Sequence, residues 1–396
     1  MTQQNHKKVY LIIALVFAGL FFGNYGMYQI SAIPAQVYEA YQLNDVQFSS
    51  VMTASMVPAI FFSILLGVLA DRFGIKSLAA VCILLGFVGY VMRWISNSYT
   101  MLYTGMFLTG LLVTVFNTNI SKIASSLCAP EKVASVVGIL MTGSTASMAV
   151  AYGTTAAFPN MKSAFAFTAI ATGILFILWL VCVRQKDFKE SESVEAEKIP
   201  VMKGILTAVK SKNVWLMGLA LGTLLGGAMV ITNFQVAYLV SVKGYTEALA
   251  GTFGTVLMIG AIIGSLIVPM FLSRIKNPAV FLLVITLIAG ACTAGIAVLP
   301  VAGIYVASFL NGFLRSAVIS IVMVFPVMFP EIGPRYAGTA TGVACTIQLL
   351  AAVIIPTYVV IPLAGGNMAA YFYWGAAFFV LSAGLVYVLA RKLKFN

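Results

Sequence analysis

The sequence predicts an all-α integral membrane protein with 12 transmembrane helices, arranged as two pseudo-twofold-related six-helix bundles. Three observations carry that prediction. Hydrophobic residues make up 61% of the 396 residues and charged ones 9%, with a mean hydropathy of +1.02, outside the range of soluble domains. Apolar runs of roughly 20–25 residues, long enough to cross a bilayer, recur with short polar breaks. A polar stretch near the middle, with Glu190, Glu192, Glu195 and Glu197 among several lysines, separates six such runs from six more.

Taken in order, the spans are expected at 9–33, 47–70, 77–96, 99–121, 133–157 and 163–183, then at 212–241, 247–272, 278–299, 302–326, 336–361 and 368–390. The chain then divides into a six-helix bundle at 1–184, a cytoplasmic linker at 185–211 and a second six-helix bundle at 212–396. The first run is too long for a secretory leader and carries Asn24, Tyr25, Tyr28 and Gln29, so it reads as a retained span.

A net charge of +12 would suit a nucleic-acid partner, but its distribution points to a membrane. Lys7, Lys8, Arg72, Lys76, Lys122, Lys132, Arg274, Lys276, Arg335, Arg391, Lys392, Lys394 and the basic residues of the central stretch all fall on one side. The other side has Lys162 and Lys243, with Arg93 near a span end. The positive-inside rule then places both termini and the linker in the cytoplasm, with the plasma membrane as the expected location. The five cysteines show no CxxC and no paired spacing, and His6 is the only histidine. No metal, cofactor or catalytic constellation is therefore expected, and the chain is read as a monomeric non-enzyme whose partners are the lipid bilayer and a small substrate.

The halves also repeat. Cys128-Ala-Pro-Glu-Lys-Val-Ala-Ser-Val-Val-Gly138 aligns with Met328-Phe-Pro-Glu-Ile-Gly-Pro-Arg-Tyr-Ala-Gly338, the Pro-Glu pair and the last glycine each offset by 200. Both segments join the fourth and fifth spans of their half, the pattern of a parallel repeat with the substrate site between halves. Gly67-Val-Leu-Ala-Asp-Arg-Phe-Gly-Ile-Lys76, between the second and third spans, closely resembles the signature loop of the major facilitator superfamily. Ser273-Arg-Ile-Lys276 is its degraded counterpart. The resemblance implies a conformational latch at Gly67, Asp71, Arg72, Gly74 and Lys76, with Arg72 and Lys76 binding acidic or carbonyl groups of neighbouring helices in the outward-open state. Gly89-Tyr-Val-Met-Arg93 is similar to an element of the cyanate and nitroimidazole branch, and Asn119-Ile-Ser-Lys-Ile-Ala124 resembles that branch and the nitrate/nitrite porters. Those porters carry an arginine on spans two and eight, which this chain lacks, so the likeness implies an organic- or inorganic-anion carrier rather than a named anion. Arg93, near the end of the third span, is read either as a residue of an outer vestibule or as a side chain that snorkels to the interface.

Arg315 is the residue around which a function is built. It lies near the middle of the tenth span, and no span carries Asp or Glu away from its ends. A guanidinium stays charged at physiological pH, and at bilayer depth it costs at least several kcal/mol unless it meets a wet cavity, a partner or a ligand. An anionic substrate is the simplest occupant. Helical spacing puts Ser308, Asn311, Gly312, Arg315 and Met323 on roughly one face. Spans one, four, seven, ten and their neighbours line the pathway in the family the chain resembles. By that analogy the substrate-binding set adds Tyr25, Tyr28, Gln29, Asn117, Tyr152, Asn233, Tyr238 and Tyr358. These are neutral donors and rings suited to holding an oxyanion, although Ser, Thr and Asn also serve to join membrane helices, and tyrosines to mark interfaces.

The expected function is a secondary carrier for a small anion, a carboxylate or inorganic oxyanion, working by exchange or proton-linked transport. The alternative is an exporter of drugs or other lipophilic molecules. Against it, Gly143 is followed by Ser144 rather than proline, and no acid is embedded in a span.

Overall fold

The computed structural model describes residues 3–188 and 201–393. Twelve helices are long and apolar enough to cross a membrane: Lys7–Ala32, Asp45–Phe73, Ile75–Ile95, Tyr99–Leu127, Pro130–Ala157 and Met161–Cys182, then Lys212–Ser241, Glu247–Met270, Pro278–Val298, Val301–Met328, Tyr336–Ala364 and Met368–Arg391. They are numbered here as spans one to twelve. Contacts group the chain into two compact units, Met1–Glu195 and Ala196–Asn396.

Polar side chains set many of the span starts. Asn44 accepts from the Gln47 backbone at 2.9 Å while Gln47 reaches back to Asn44 N, a reciprocal cap ahead of span two. Asn160 and Ser163 repeat the arrangement ahead of span six. Ser98, Ser211, Thr246 and Asn277 each take one orphan N–H at the start of spans four, seven, eight and nine. Proline sets the irregularities. Span two breaks at Ser55–Met56, just before Pro58, whose missing N–H cannot continue the ladder. Span eleven widens into a π-helical turn, Ile355–Val360, with Pro356 in its first turn. Two elements were not foreseen: a short helix, Pro34–Tyr41, after span one, and another, Val201–Lys210, ahead of span seven.

Each unit has its own apolar core. In the first, Leu20, Ile83, Phe116 and Trp179 meet from spans one, three, four and six. In the second, Leu221, Leu282, Val318 and Phe379 meet from spans seven, nine, ten and twelve. The packing order is the same in both. Spans one and five, two and four, three and four, and three and six pack together, as do seven and eleven, eight and ten, nine and ten, and nine and twelve. The repeat seen around residues 130 and 330 is therefore carried through the helix contacts. At that segment the halves differ: Pro130 and Glu131 open span five, whereas Glu331 stays in a turn and the next helix begins at Gly333.

Of the expected linker, residues 185–188 adjoin the first unit and 201–211 form a helix and joint on the second, while the glutamates at 190–197 lie outside the described residues.

Candidate functional site

Span ten is shaped by close approach. A β-carbon on Gly312 would overlap the Leu257 carbonyl of span eight, and one on Gly260 or Gly264 would overlap Phe309 O or Phe313 O of span ten. Glycine at these positions lets the two helices touch backbone to backbone. Around that contact the polar residues of span ten fan outward. Ser308 Oγ accepts from Gln235 Nε2 of span seven at 2.6 Å. Asn311 Nδ2 donates to Ala289 O at 2.9 Å and to Thr293 Oγ1 at 3.0 Å, both on span nine. Arg315, only 6% exposed, stands two turns from Ser308 in register and so shares its face.

The expected single face through Ser308, Asn311, Gly312 and Arg315 therefore needs correction. The amide nitrogen of Asn311 is spent on span nine while its buried Oδ1 has no hydrogen-bond partner among the described residues, Gly312 abuts span eight, and only Ser308 keeps the register of Arg315. Tyr238 is likewise engaged, its hydroxyl donating to Ala297 O at 2.9 Å. Asn233 is buried. Tyr358 lies on the π turn of span eleven and is 59% exposed.

In the first unit, spans one and five bring several of the expected residues together. Tyr25 OH pairs with Thr154 Oγ1 at 2.9 Å. Tyr28 meets Tyr152 edge to face with ring centres 5.7 Å apart, and Ser31 Oγ donates to Tyr152 OH at 3.1 Å. Asn117 of span four is exposed.

Gln29 turns the other way. Its Nε2 donates to Ala164 O of span six at 2.8 Å. Its Oε1 accepts from Arg93 Nη2 and from Thr168 Oγ1.

Arg93 does not line a vestibule, and this is the second correction. It is completely buried. It donates to Gly26 O, to Gln29 Oε1 and, at 2.7 Å, to Thr168 Oγ1. Its guanidinium lies over the Phe165 ring, 4.1 Å from the centroid. Tyr90, one turn earlier, donates to Gly23 O at 2.8 Å. Span three thus grips span one along a full turn. No sequence signal marked this, because every partner is a neutral side chain or a backbone carbonyl.

The signature loop closes one end of the first unit. Asp71 Oδ1 accepts from Lys122 Nζ, which comes from span four. Gly74 has φ 81° and ψ 150°, a region essentially confined to glycine, and a β-carbon there would overlap the Gln185 side chain. Asp71, Arg72, Gly74, Lys122, Ser126 and Gln185 line a cleft of about 340 Å³. Nearby, Lys8 pairs with Asp187 at 2.6 Å. A β-carbon on Gly67 would meet only Thr118, at an ordinary contact distance. The Arg72 guanidinium lies 5.3 Å from the ring of its own neighbour, Phe73, and the Lys76 backbone carbonyl accepts from Trp179 Nε1 at 3.1 Å; the contacts expected of the two side chains belong to the outward-open state. Lys122 and Gln185, absent from the expected set, stand beside Asp71 and Gly74 respectively.

At the equivalent joint of the second unit, Glu331 Oε1 accepts from Ser211 Oγ at 2.6 Å and from Asn213 Nδ2 at 3.0 Å. Partial burial alone would raise the Glu331 pKa. Hydrogen bonds from Ser211, its own backbone and Asn213, with Lys392 nearby, outweigh burial and hold the carboxyl below the usual glutamate range.

Twelve spans in two six-helix units with one packing order define the fold of a membrane transporter. The Major Facilitator Superfamily profile matches residues 11–356, and the chain belongs to that family. Among solved structures it resembles a bacterial homologue of the human lysosomal transporter Spinster, captured inward-facing and unoccupied. That likeness has a TM-score of 0.79 and 13% identity over 99% of this chain and 98% of the other. It also resembles a mutant form of the nucleoside transporter NupG, at TM-score 0.74 and 15% identity over 96% and 98% of the two chains. At such identities the likeness carries the fold alone. A zebrafish (Danio rerio) relative, solute carrier family 2, facilitated glucose transporter member 10, is 28% identical over 150 residues, or 38% of this chain. The match spans 29% of that protein's length.

Proposed function

We propose that this chain is a secondary carrier of a small anion, a carboxylate or inorganic oxyanion, working by alternating access in the plasma membrane with both termini cytoplasmic. The observation that carries the reading is Arg315: a guanidinium buried in the middle of span ten, in a chain whose spans bear acids only at their ends. A charge held there is costly to desolvate, and an anion beside it offsets that cost. The reorientation step is then easier with anion bound than without, since a ligand shifts a conformational balance only by its differential affinity for the two states. Exchange of one anion for another follows, with proton-linked uptake as the variant in which the proton travels with the substrate rather than on an embedded acid. The names of the relatives cover nucleoside, glucose and lysosomal transport, so the substrate class rests on Arg315 and not on likeness.

The test begins with a thermal-shift screen of the purified protein against small anions, because a ligand that binds only the folded state raises the melting temperature. Proteoliposomes loaded with the stabilising anion should then release it several-fold faster when anion is present outside. Absence of any anion-dependent shift, or equal efflux with and without external anion, would reject the respective part of the reading.

A further inference from the structure

Immediately ahead of span seven, the residues expected to be plain linker form a helix, Val201–Lys210. Its turns sort the side chains to opposite sides. Gly204 and Ala208 are buried on the side that packs on span eleven, where a β-carbon on Gly204 would lie 2.9 Å from Thr339 Oγ1. On the other side Leu206 is 52% exposed and Val209 41% exposed, with Lys210 exposed beside them.

A single extended residue, Ser211 (φ −78°, ψ 119°), separates this helix from span seven, which starts at the exposed Lys212. The joint is fixed from two directions. Glu331 accepts from Ser211 and Asn213, and Trp215 donates its indole N–H to Val209 O at 2.8 Å while remaining 46% exposed. The helix cannot drift from the point where the chain enters the bilayer.

An amphipathic helix held one residue from a membrane entry point has its apolar side chains at the depth of the headgroup layer. Burying leucine and valine there is favourable, and tryptophan prefers the same zone. Charge agrees with geometry. Residues 201–241 contain no Asp or Glu but include Lys203, Lys210 and Lys212. Glu331, the acid at the joint, is already taken up by Ser211 and Asn213. A protein partner for the same face would have to displace lipid one residue from the span.

We propose that Val201–Lys210 rests on the bilayer surface, with Leu206 and Val209 set among the headgroups and Lys210 and Lys212 holding anionic lipid. The inference stands whatever substrate the carrier moves.

The experiment uses the full chain with its five native cysteines replaced by alanine and Leu206→Cys carrying a fluorescent label, in nanodiscs of phosphatidylcholine with about a third phosphatidylglycerol. Headgroup-depth nitroxide lipid should quench the label several-fold more efficiently than aqueous iodide. Stronger quenching by iodide overturns the placement. Val209→Cys serves as a second reporter should the first label disturb the helix. Nitroxide carried on phosphatidylglycerol should quench more than the same group on phosphatidylcholine. Each lysine near an anionic surface is worth about fivefold in partition, so Lys210→Gln with Lys212→Gln, about 25-fold together, should remove most of that preference. An unchanged preference in the double variant overturns the anionic-lipid assignment.

Discussion

Arg93 Nη2 donates to Thr168 Oγ1 at 2.7 Å, joining span three to span six inside the first unit. The same guanidinium bonds Gly26 O and Gln29 Oε1 of span one and lies over Phe165. Three helices are thus joined through one buried cation, and these three oxygen acceptors are all uncharged. Bonds to a charged donor are stronger than neutral ones, and the aromatic face adds a further attraction. Arg93→Met removes the charged donor from Gly26 O, Gln29 Oε1 and Thr168 Oγ1 and leaves the last two only their bond to each other and that of Thr168 to Phe165 O, at about 1.5–3 kcal/mol for each bond to a charged group. The melting temperature of the detergent-solubilised protein should fall by several degrees. Arg93→Lys should recover only part, since one ammonium cannot reach all three acceptors. An unchanged melting temperature in Arg93→Met would show that desolvation had already cancelled the bonds.

Gly312 and Gly338 make opposite forecasts for the same substitution. A β-carbon at Gly312 would overlap Leu257 O, whereas nothing lies within 4 Å of one at Gly338. Gly312→Ala must push spans eight and ten apart along their backbone contact and should cost about 1–3 kcal/mol, as overpacking does. Gly338→Ala meets no atom and gains up to about 1 kcal/mol of helix propensity. Thermal unfolding of the two variants side by side checks this. Equal effects would mean that the span-eight contact is looser than the geometry states.

These cases also mark how far the sequence could be read. Span positions followed from apolar run length, and observed bounds differ from expected ones by only a few residues at most ends, because bilayer thickness leaves little choice. The Pro-Glu repeat at 130 and 330 exposed the two-unit organisation, which the matching helix contacts share. Side-chain direction was less legible. Asn311, Gly312 and Arg315 fall within one helical arc, yet three neighbouring helices divide that arc among themselves, and sequence spacing does not say where each neighbour stands. Arg93 read as peripheral because it lies two residues from the end of span three, Ile75–Ile95. Its burial depends on Gln29, Thr168 and a carbonyl from residues distant in the chain. Lys122 belonged to a quoted motif but carried no sign that Asp71 was its partner.

For the signature loop, geometry and charge can be tested separately. Gly74→Ala places a β-carbon in a backbone region that costs about 1–3 kcal/mol for other residues and against Gln185. Adding Gln185→Ala should relieve the contact and leave the backbone cost. Asp71→Asn breaks an exposed pair with Lys122, and such pairs contribute at most about 1 kcal/mol to stability. Its melting temperature should therefore stay near the parent's while transport falls, because the pair acts on the balance between conformations. Ligand affinity should remain within a few-fold. A loss of affinity as large as that of an Arg315 variant would move Asp71 into the binding site.

Arg315 itself separates binding from scaffolding. Lysine keeps the charge but loses the planar fork that can hold two oxygens of one anion, and alanine removes both. A hydrogen bond to a charged group is worth roughly 1.5–3 kcal/mol net, so Arg315→Ala should weaken anion binding by at least about tenfold. Arg315→Lys should keep part of the affinity and lose discrimination between planar oxyanions and spherical halides. Arg315→Ala should fold, since removing a costly charge from span ten relieves desolvation, and Arg315→Lys should fold because it exchanges one cation for another at the same place. A structural arginine makes the opposite forecast, as Arg93 does through its bonds to spans one and six. In that case Arg315→Ala would melt earlier, and the folded fraction would bind anion normally. Melting temperature and anion affinity measured on one Arg315→Ala sample decide between them. Lowered stability with normal affinity removes Arg315 from the substrate pathway and leaves the anion reading without its main support.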